Sequence, residues 1–284
     1  MTDWHAHVGR WHETYYDPAA VVRALAACGT DEAWLSSTSS EIYCKESLAV
    51  QDRPDLRNDA MTARELYEHV RGEMEAALAA AEGCGAKAHP LYWVVPEVHF
   101  SAEARVTVES AMRDFPYEGF KLHPRGNPWD LKDRRTLELA REVFSHADAR
   151  GLPVLIHTGP DPFELPDLFA PLVGAYPRVT VQLAHCRPLE DTLAMLRAYP
   201  NVVCDTAFVD GETRERIRAA GFGERIRFGT DFPITHYHAA RPDHNPTEAE
   251  LTEFLLSSRC CFKRLKFFIY YIHGCFKETG GTHE

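Results

Sequence analysis

The chain has 284 residues, 45% of them hydrophobic and 26% charged, with a formal net charge of −11. This balance excludes a disordered chain and argues against nucleic acid as a partner, because a phosphate backbone is bound through an excess of Lys and Arg. No apolar run reaches the ~18 residues of a membrane span, and Met1 leads into the first strand with no signal peptide. A cytoplasmic protein acting on a small molecule is expected. The eight cysteines form no Cys-x-x-Cys pair, so reduced thiols are expected.

In chain order, short apolar runs alternate with segments of helical period. The runs are DWHAHV (Asp3–Val8), EAWLSS (Glu32–Ser37), AHPLYWVV (Ala88–Val95), EGFKLH (Glu118–His123), LPVLIH (Leu152–His157), VTVQLAH (Val179–His185), NVVCDT (Asn201–Thr206) and RIRFGTD (Arg225–Asp231). Between them, DPAAVVRALAACG has Asp17 as a cap, Pro18 in its first turn and Gly29 as a stop. A long amphipathic helix is predicted over Thr62–Gly83, and another segment ends on Gly151. Further helices are read at LEDTLAMLRAY, ETRERIRAAG and TEAELTEFLLSS, the last with Thr247 and Glu250 at capping-box spacing. Strict alternation of nearly continuous apolar strands with helices implies a parallel sheet. Eight such units fit a single-domain (β/α)8 TIM barrel, with the doubly wound open sheet as the alternative.

The polar residues favour the barrel. Side chains alternate along a strand, so His5 and His7 share a face. Strand 4 ends in Lys121 and His123, strand 5 in His157, strand 6 in His185 and strand 8 in Asp231. Packing does not explain five of eight strands that end in ligand-type residues. Chemistry collected at strand carboxyl ends does. No glycine-rich phosphate loop follows the first strand, which weakens the open sheet.

The segments DWHAHVG, GFKLHP, PVLIHTG, VQLAHC, NVVCDTAF and RIRFGTDFP, in this order, resemble the amidohydrolase superfamily. The branch is that of metal-dependent hydrolases and decarboxylases related to aminocarboxymuconate semialdehyde decarboxylase. The resemblance implies a divalent metal, usually zinc, on His5, His7, His157 and Asp231, which activates water for hydrolysis of a C–N or C–O bond. Three imidazoles and a carboxylate suit that ion. The catalytic groups would be Asp231 as proton acceptor and His185 as proton-transfer residue. In other branches a lysine at the end of strand 4 is carboxylated and bridges two metals. Here an unmodified Lys121 near the substrate is preferred, with His123 on the same face.

Arg10 and Trp11 in loop 1, and Arg125 and Trp129 in loop 4, suggest a small carboxylate held by guanidinium and indole groups. Residues 38–60 are a candidate lid. Non-oxidative decarboxylation is the runner-up reaction, and a non-catalytic metabolite-binding barrel the third reading. Residues 1–258 are expected to form the barrel. Residues 259–284 are a divergent tail, read as helical, with six aromatic residues and a charge of +3. It lacks the closing segment typical of the family; an altered reading frame, or packing against the barrel or a second subunit of a homodimer, accounts for it. A membrane surface is disfavoured, since no clear polar face is seen.

Overall fold

The structure, a computed structural model, describes residues 1–42, 62–96 and 106–262. Most of the candidate lid and of the tail lies outside these residues.

The chain opens with β1 (Thr2–Trp11), which turns back into a short antiparallel strand, β2 (Thr14–Tyr16), and continues into α1 (Pro18–Ala27). The Asp17 carboxylate accepts the Ala20 N–H, and Pro18 occupies the first turn, as predicted. There follow β3 (Glu32–Ser37), α2 (Ser39–Ile42), α3 (Ala63–Gly83) and β4 (Lys87–Trp93). Thr62 and Glu65 form a reciprocal capping box at the start of α3. Next come α4 (Val108–Asp114), β5 (Gly119–Leu122), α5 (Arg134–Arg150) and β6 (Val154–His157). After them lie α6 (Ala170–Ala175), β7 (Val181–Ala184), α7 (Leu189–Ala198) and β8 (Val202–Asp205). The described chain ends with α8 (Gly211–Ala219), β9 (Ile226–Arg227), α9 (Ile234–Ala240) and α10 (Glu248–Phe262). Gly151 stops α5 in the left-handed conformation, φ 66°.

The sheet runs β2-β1-β3-β4-β5-β6-β7-β8-β9, and every pair except β1/β2 is parallel. Its ends meet. Trp4 N–H donates to Phe228 O at 2.8 Å, Asp231 N–H to His5 O at 2.8 Å and His7 N–H to Phe232 O at 2.7 Å. These bonds close the eight parallel strands into the expected (β/α)8 barrel.

Alternation then sorts the side chains. Ala6, Val8, Phe120, Leu122, Val154 and Ile156 join one core with Ala140, Val143, Phe144 and Ala147 of α5. Those α5 residues recur every three or four positions, which places them on one face of the helix. The opposite strand faces carry His5, His7 and Lys121 into the barrel. Two expectations are corrected. Arg10 and Trp11 belong to the β1/β2 hairpin rather than to a free loop. Trp129 is fully buried in the core and offers no wall to a ligand.

Candidate metal centre

His5 and His7 enter the site from the same face of β1, and their Nε2 atoms lie 3.1 Å apart. Asp231 reaches them from the turn after β9, with Oδ1 2.9 Å from His7 Nε2 and 3.5 Å from His5 Nε2. It does not end a strand, as the sequence suggested. It sits four residues beyond β9 at φ 54°, and His185 follows β7 at φ 68°. Left-handed backbone costs a non-glycine residue ~1–2 kcal/mol. Hydrogen bonds hold both: Asp231 N–H to His5 O at 2.8 Å and His185 N–H to Asp205 Oδ1 at 3.2 Å.

The far nitrogen of each imidazole is anchored. His5 Nδ1–H donates to Asp205 Oδ2 at 3.0 Å, and His185 Nδ1–H to Ala207 O at 3.1 Å. His7 Nδ1 meets Ser36 O at 3.3 Å and Ser36 Oγ at 3.0 Å. Carboxylates and carbonyls only accept, so a neutral His5 or His185 ring carries its proton on Nδ1 with the Nε2 lone pair inward, whereas the Ser36 hydroxyl beside His7 Nδ1 can donate as well as accept. His5 Nε2 then accepts from Lys121 Nζ at 3.0 Å. His7 Nε2 stands between His5 Nε2 and Asp231 Oδ1, with the carboxylate as its hydrogen-bond partner. Burial lowers the His7 imidazole to about 4, so the ring is neutral at neutral pH, and with its proton on Nδ1 toward Ser36 O its Nε2 lone pair could face a cation. His5, His185 and Asp231 form a cluster whose ligand atoms all lie within 4.8 Å, and all three residues are buried. Such a donor set, with carboxylate and carbonyl partners behind the rings, fits a divalent transition metal.

His157 stands one step further out. Its Nδ1 is 3.1 Å from His185 Nε2, and its Nε2 is 3.9 Å from Glu164 Oε2. His185 Nε2 is in turn 3.9 Å from Asp231 Oδ2. Burial works to raise the Asp231 carboxyl, but His5, His7 and His185 outweigh it and hold the group well below its usual range. Lys121 is fully buried, and burial brings its amine down to about 8. It is no rim lysine. His123 packs between the rings of Trp93 and His157, at centroid distances of 4.9 and 4.2 Å. Arg125 is half exposed, with Nε 3.9 Å from Glu164 Oε1. Arg10 donates from its guanidinium to Glu13 O at 3.3 Å and lies over the Tyr15 ring. The Trp11 indole N–H is buried without a hydrogen-bond partner among the described residues.

Sequence reasoning missed several groups. Asp205 is wholly buried; burial pushes its carboxyl up, but His5, His185 and Gln182 bring it to about 2. It is the next-to-last residue of NVVCDT and the last of β8, so the strand-end rule applied to that run would have found it. Asp3 ties β1 to the turn before Asp231, accepting from Thr230 Oγ1 at 2.6 Å and Thr230 N–H at 3.1 Å. Glu41 and Glu164 are each 2% exposed and keep carboxylate oxygens without hydrogen-bond partners among the described residues. Burial raises both, Glu41 to about 8.

A closed parallel barrel that gathers imidazoles, carboxylates and a lysine at its strand carboxyl ends defines a (β/α)8-barrel protein with its reactive groups at one mouth. The sequence model of the amidohydrolase family (Amidohydro_2) matches residues 2–257. The chain belongs to that family. Among solved structures it is similar to an amidohydrolase II, at 16% identity and TM-score 0.53, over 85% of this chain and 92% of that one. It is also similar to the phosphotriesterase homology protein of Escherichia coli, complexed with phosphate in its active site. There the identity is 12% and the TM-score 0.54, over 95% of this chain and 93% of the other. A 2,6-dihydroxybenzoate decarboxylase from Rhizobium aligns at 12% identity and TM-score 0.48, over 93% and 98%. The first two similarities show the fold. No curated protein matches the chain.

Proposed function

We propose that this protein is a metal-dependent hydrolase that cleaves a C–N or C–O bond in a small, carboxylate-bearing substrate, with one zinc ion as cofactor. The observation that carries the reading is the convergence of His5, His7 and His185 on the buried Asp231. His5, His7 and Asp231 would hold the metal, with the fourth donor from the His157/His185 pair; His157 is the family's choice. When bound, the metal supplies Lewis-acid activation of water at neutral pH.

The chain's own residues supply proton transfer and orientation. Asp231 is kept ionised and can accept a proton, and His185, 3.9 Å from it, can pass one toward the substrate. Lys121, His123, Arg125, Arg10 and Trp11 are assigned to substrate binding, with Lys121 deepest. Cytoplasmic location is part of the reading, supported by the absence of a disulfide among Cys84, Cys186 and Cys204 of the described residues.

The test is metal content per chain by elemental mass spectrometry on tag-free protein, wild type and Lys121→Ala, followed by a hydrolysis screen. About one zinc in both proteins supports the mononuclear reading. Two in the wild type, reduced by loss of Lys121, means a carboxylated lysine bridging two metals. No metal in either removes the proposal.

Non-oxidative decarboxylation is the second reading, favoured by one observation. Glu41 is buried 3.2 Å from His123, burial raises its carboxyl to about 8, and carbon protonation after loss of carbon dioxide requires an acid of this kind. Release of carbon dioxide, rather than of a new amine or alcohol, distinguishes the two.

A further inference from the structure

The loop after β5 folds over the ring of its own first residue. Asn127 N–H donates to His123 O at 2.9 Å, and Gly126 N–H donates to His123 Nδ1 at 2.9 Å. A ring nitrogen that accepts a hydrogen bond carries no proton, so the proton of the neutral imidazole is on Nε2. His123 is therefore the opposite tautomer to His5 and His185, whose Nδ1 atoms donate.

The ring is clamped in this setting. Trp93 stacks on it at 25° between planes, and the Trp93 indole N–H donates to Asn127 Oδ1 at 2.9 Å, tying the clamp to the same loop. Gly126 lacks a Cβ, and the Glu41 side chain lies in the space one would fill. Glu41 Oε2 is 3.2 Å from Nδ1 and has no hydrogen-bond partner among the described residues. An ionised carboxylate there would confront the accepting lone pair, whereas a neutral acid does not. On its other edge, beside His157, Nε2 has no protein acceptor among the described residues and is not sealed in.

We propose that His123 is a neutral hydrogen-bond donor whose proton is fixed on Nε2 by the Gly126 main chain, and that this N–H holds a carboxylate or carbonyl oxygen of the substrate. The choice of a small carboxylate rests on the functional reading above. The donor is preorganised, so an oxygen that gains negative charge during reaction is met without rearrangement.

The test uses the protein as purified, labelled with 15N-histidine, in long-range 1H–15N correlation spectra at pH 7. His123 is assigned by the signals lost in His123→Gln or in His123→Phe; either variant serves. The expected result is the neutral Nε2–H tautomer. A neutral Nδ1–H ring or an imidazolium overturns the proposal. Benzoate is then titrated as the carboxylate probe. It should shift the His123 Nε2 resonance, and His123→Phe should bind it roughly ten- to a hundredfold more weakly than His123→Gln, whose amide nitrogen replaces Nε2 as donor. Equal affinities in the two variants, or no binding by the wild type, overturn it as well. Protein that contains no metal yet passes both tests removes the hydrolase reading and leaves the role of His123 in place.

Discussion

His5 Nδ1–H donates to Asp205 Oδ2 across 3.0 Å with both side chains wholly buried, and the same carboxylate accepts from Gln182 Nε2 at 3.0 Å and from the main-chain N–H groups of His185 and Ala207. One residue thus aims His5 and fixes the backbone of His185. Replacing Asp205 with Asn keeps the shape but removes the obligatory acceptor. Zinc affinity, measured by competition with a chromogenic chelator, should fall roughly ten- to a hundredfold. Unchanged affinity would mean that His5 is not held for a metal.

The fourth donor is decided by a pair of variants. His157→Ala and Asp231→Ala should each lose metal and activity together. His185→Asn should retain metal and lose most turnover, because His185 is assigned to proton transfer. The reverse pattern, with metal lost in His185→Asn and kept in His157→Ala, would place His185 in the coordination sphere, as its 4.8 Å cluster with His5 and Asp231 allows.

Glu41 predicts a pH dependence of stability. Its carboxyl is raised by burial from 4.5 to about 8, so between those values the folded chain retains a proton that the unfolded chain releases. Stability should therefore fall as pH rises from 4.5 to 8, and stay level in this respect above that. Glu41→Gln lacks the proton. Its stability relative to wild type should rise by a few kcal/mol between pH 5 and pH 9, on the order of what a shift of this size implies. Urea denaturation at both pH values measures the difference, and parallel behaviour of the two proteins would show Glu41 to be ionised in the fold.

Glu73 on α3 holds the strand end behind His7. Its carboxylate accepts from Ser37 Oγ at 2.5 Å and Ser39 Oγ at 2.9 Å, close to Ser36, which contacts the His7 ring. Glu73→Ala leaves two buried hydroxyls without their acceptor and should cost about 1–3 kcal/mol for each group left unpaired. Denaturant titration reads the loss, and Glu73→Gln should recover part of it.

Much of the scaffold follows from local rules that a sequence displays. Asp17, the Thr62/Glu65 and Thr247/Glu250 pairs and Gly151 each act within a few residues of themselves, and they cap or stop helices where expected. The two-residue period of strands fixed which way His5, His7 and Lys121 point, and the convergence of strand ends on one mouth follows from closing a parallel sheet. The family was legible for the same reason, since its motifs lie at those ends.

What the sequence did not determine depends on residues far apart in the chain. Glu41 and Glu164 look like ordinary surface acids until Gly126 and Gly159 make room for their side chains and the barrel mouth excludes water from them. Trp129 reads as a ligand wall and is core, because loop 4 folds inward. Asp231 reads as a strand end and is a left-handed turn, held by a hydrogen bond to His5 across the barrel closure. The tautomers of His5, His185 and His123 were set by a carboxylate from β8, a carbonyl beyond β8 and the main chain of one turn. Strand and helix patterns are determined by near neighbours and survive in the sequence. Burial, protonation and the direction of a lone pair are determined by what the closed barrel brings against each side chain, and only the tertiary structure decides them.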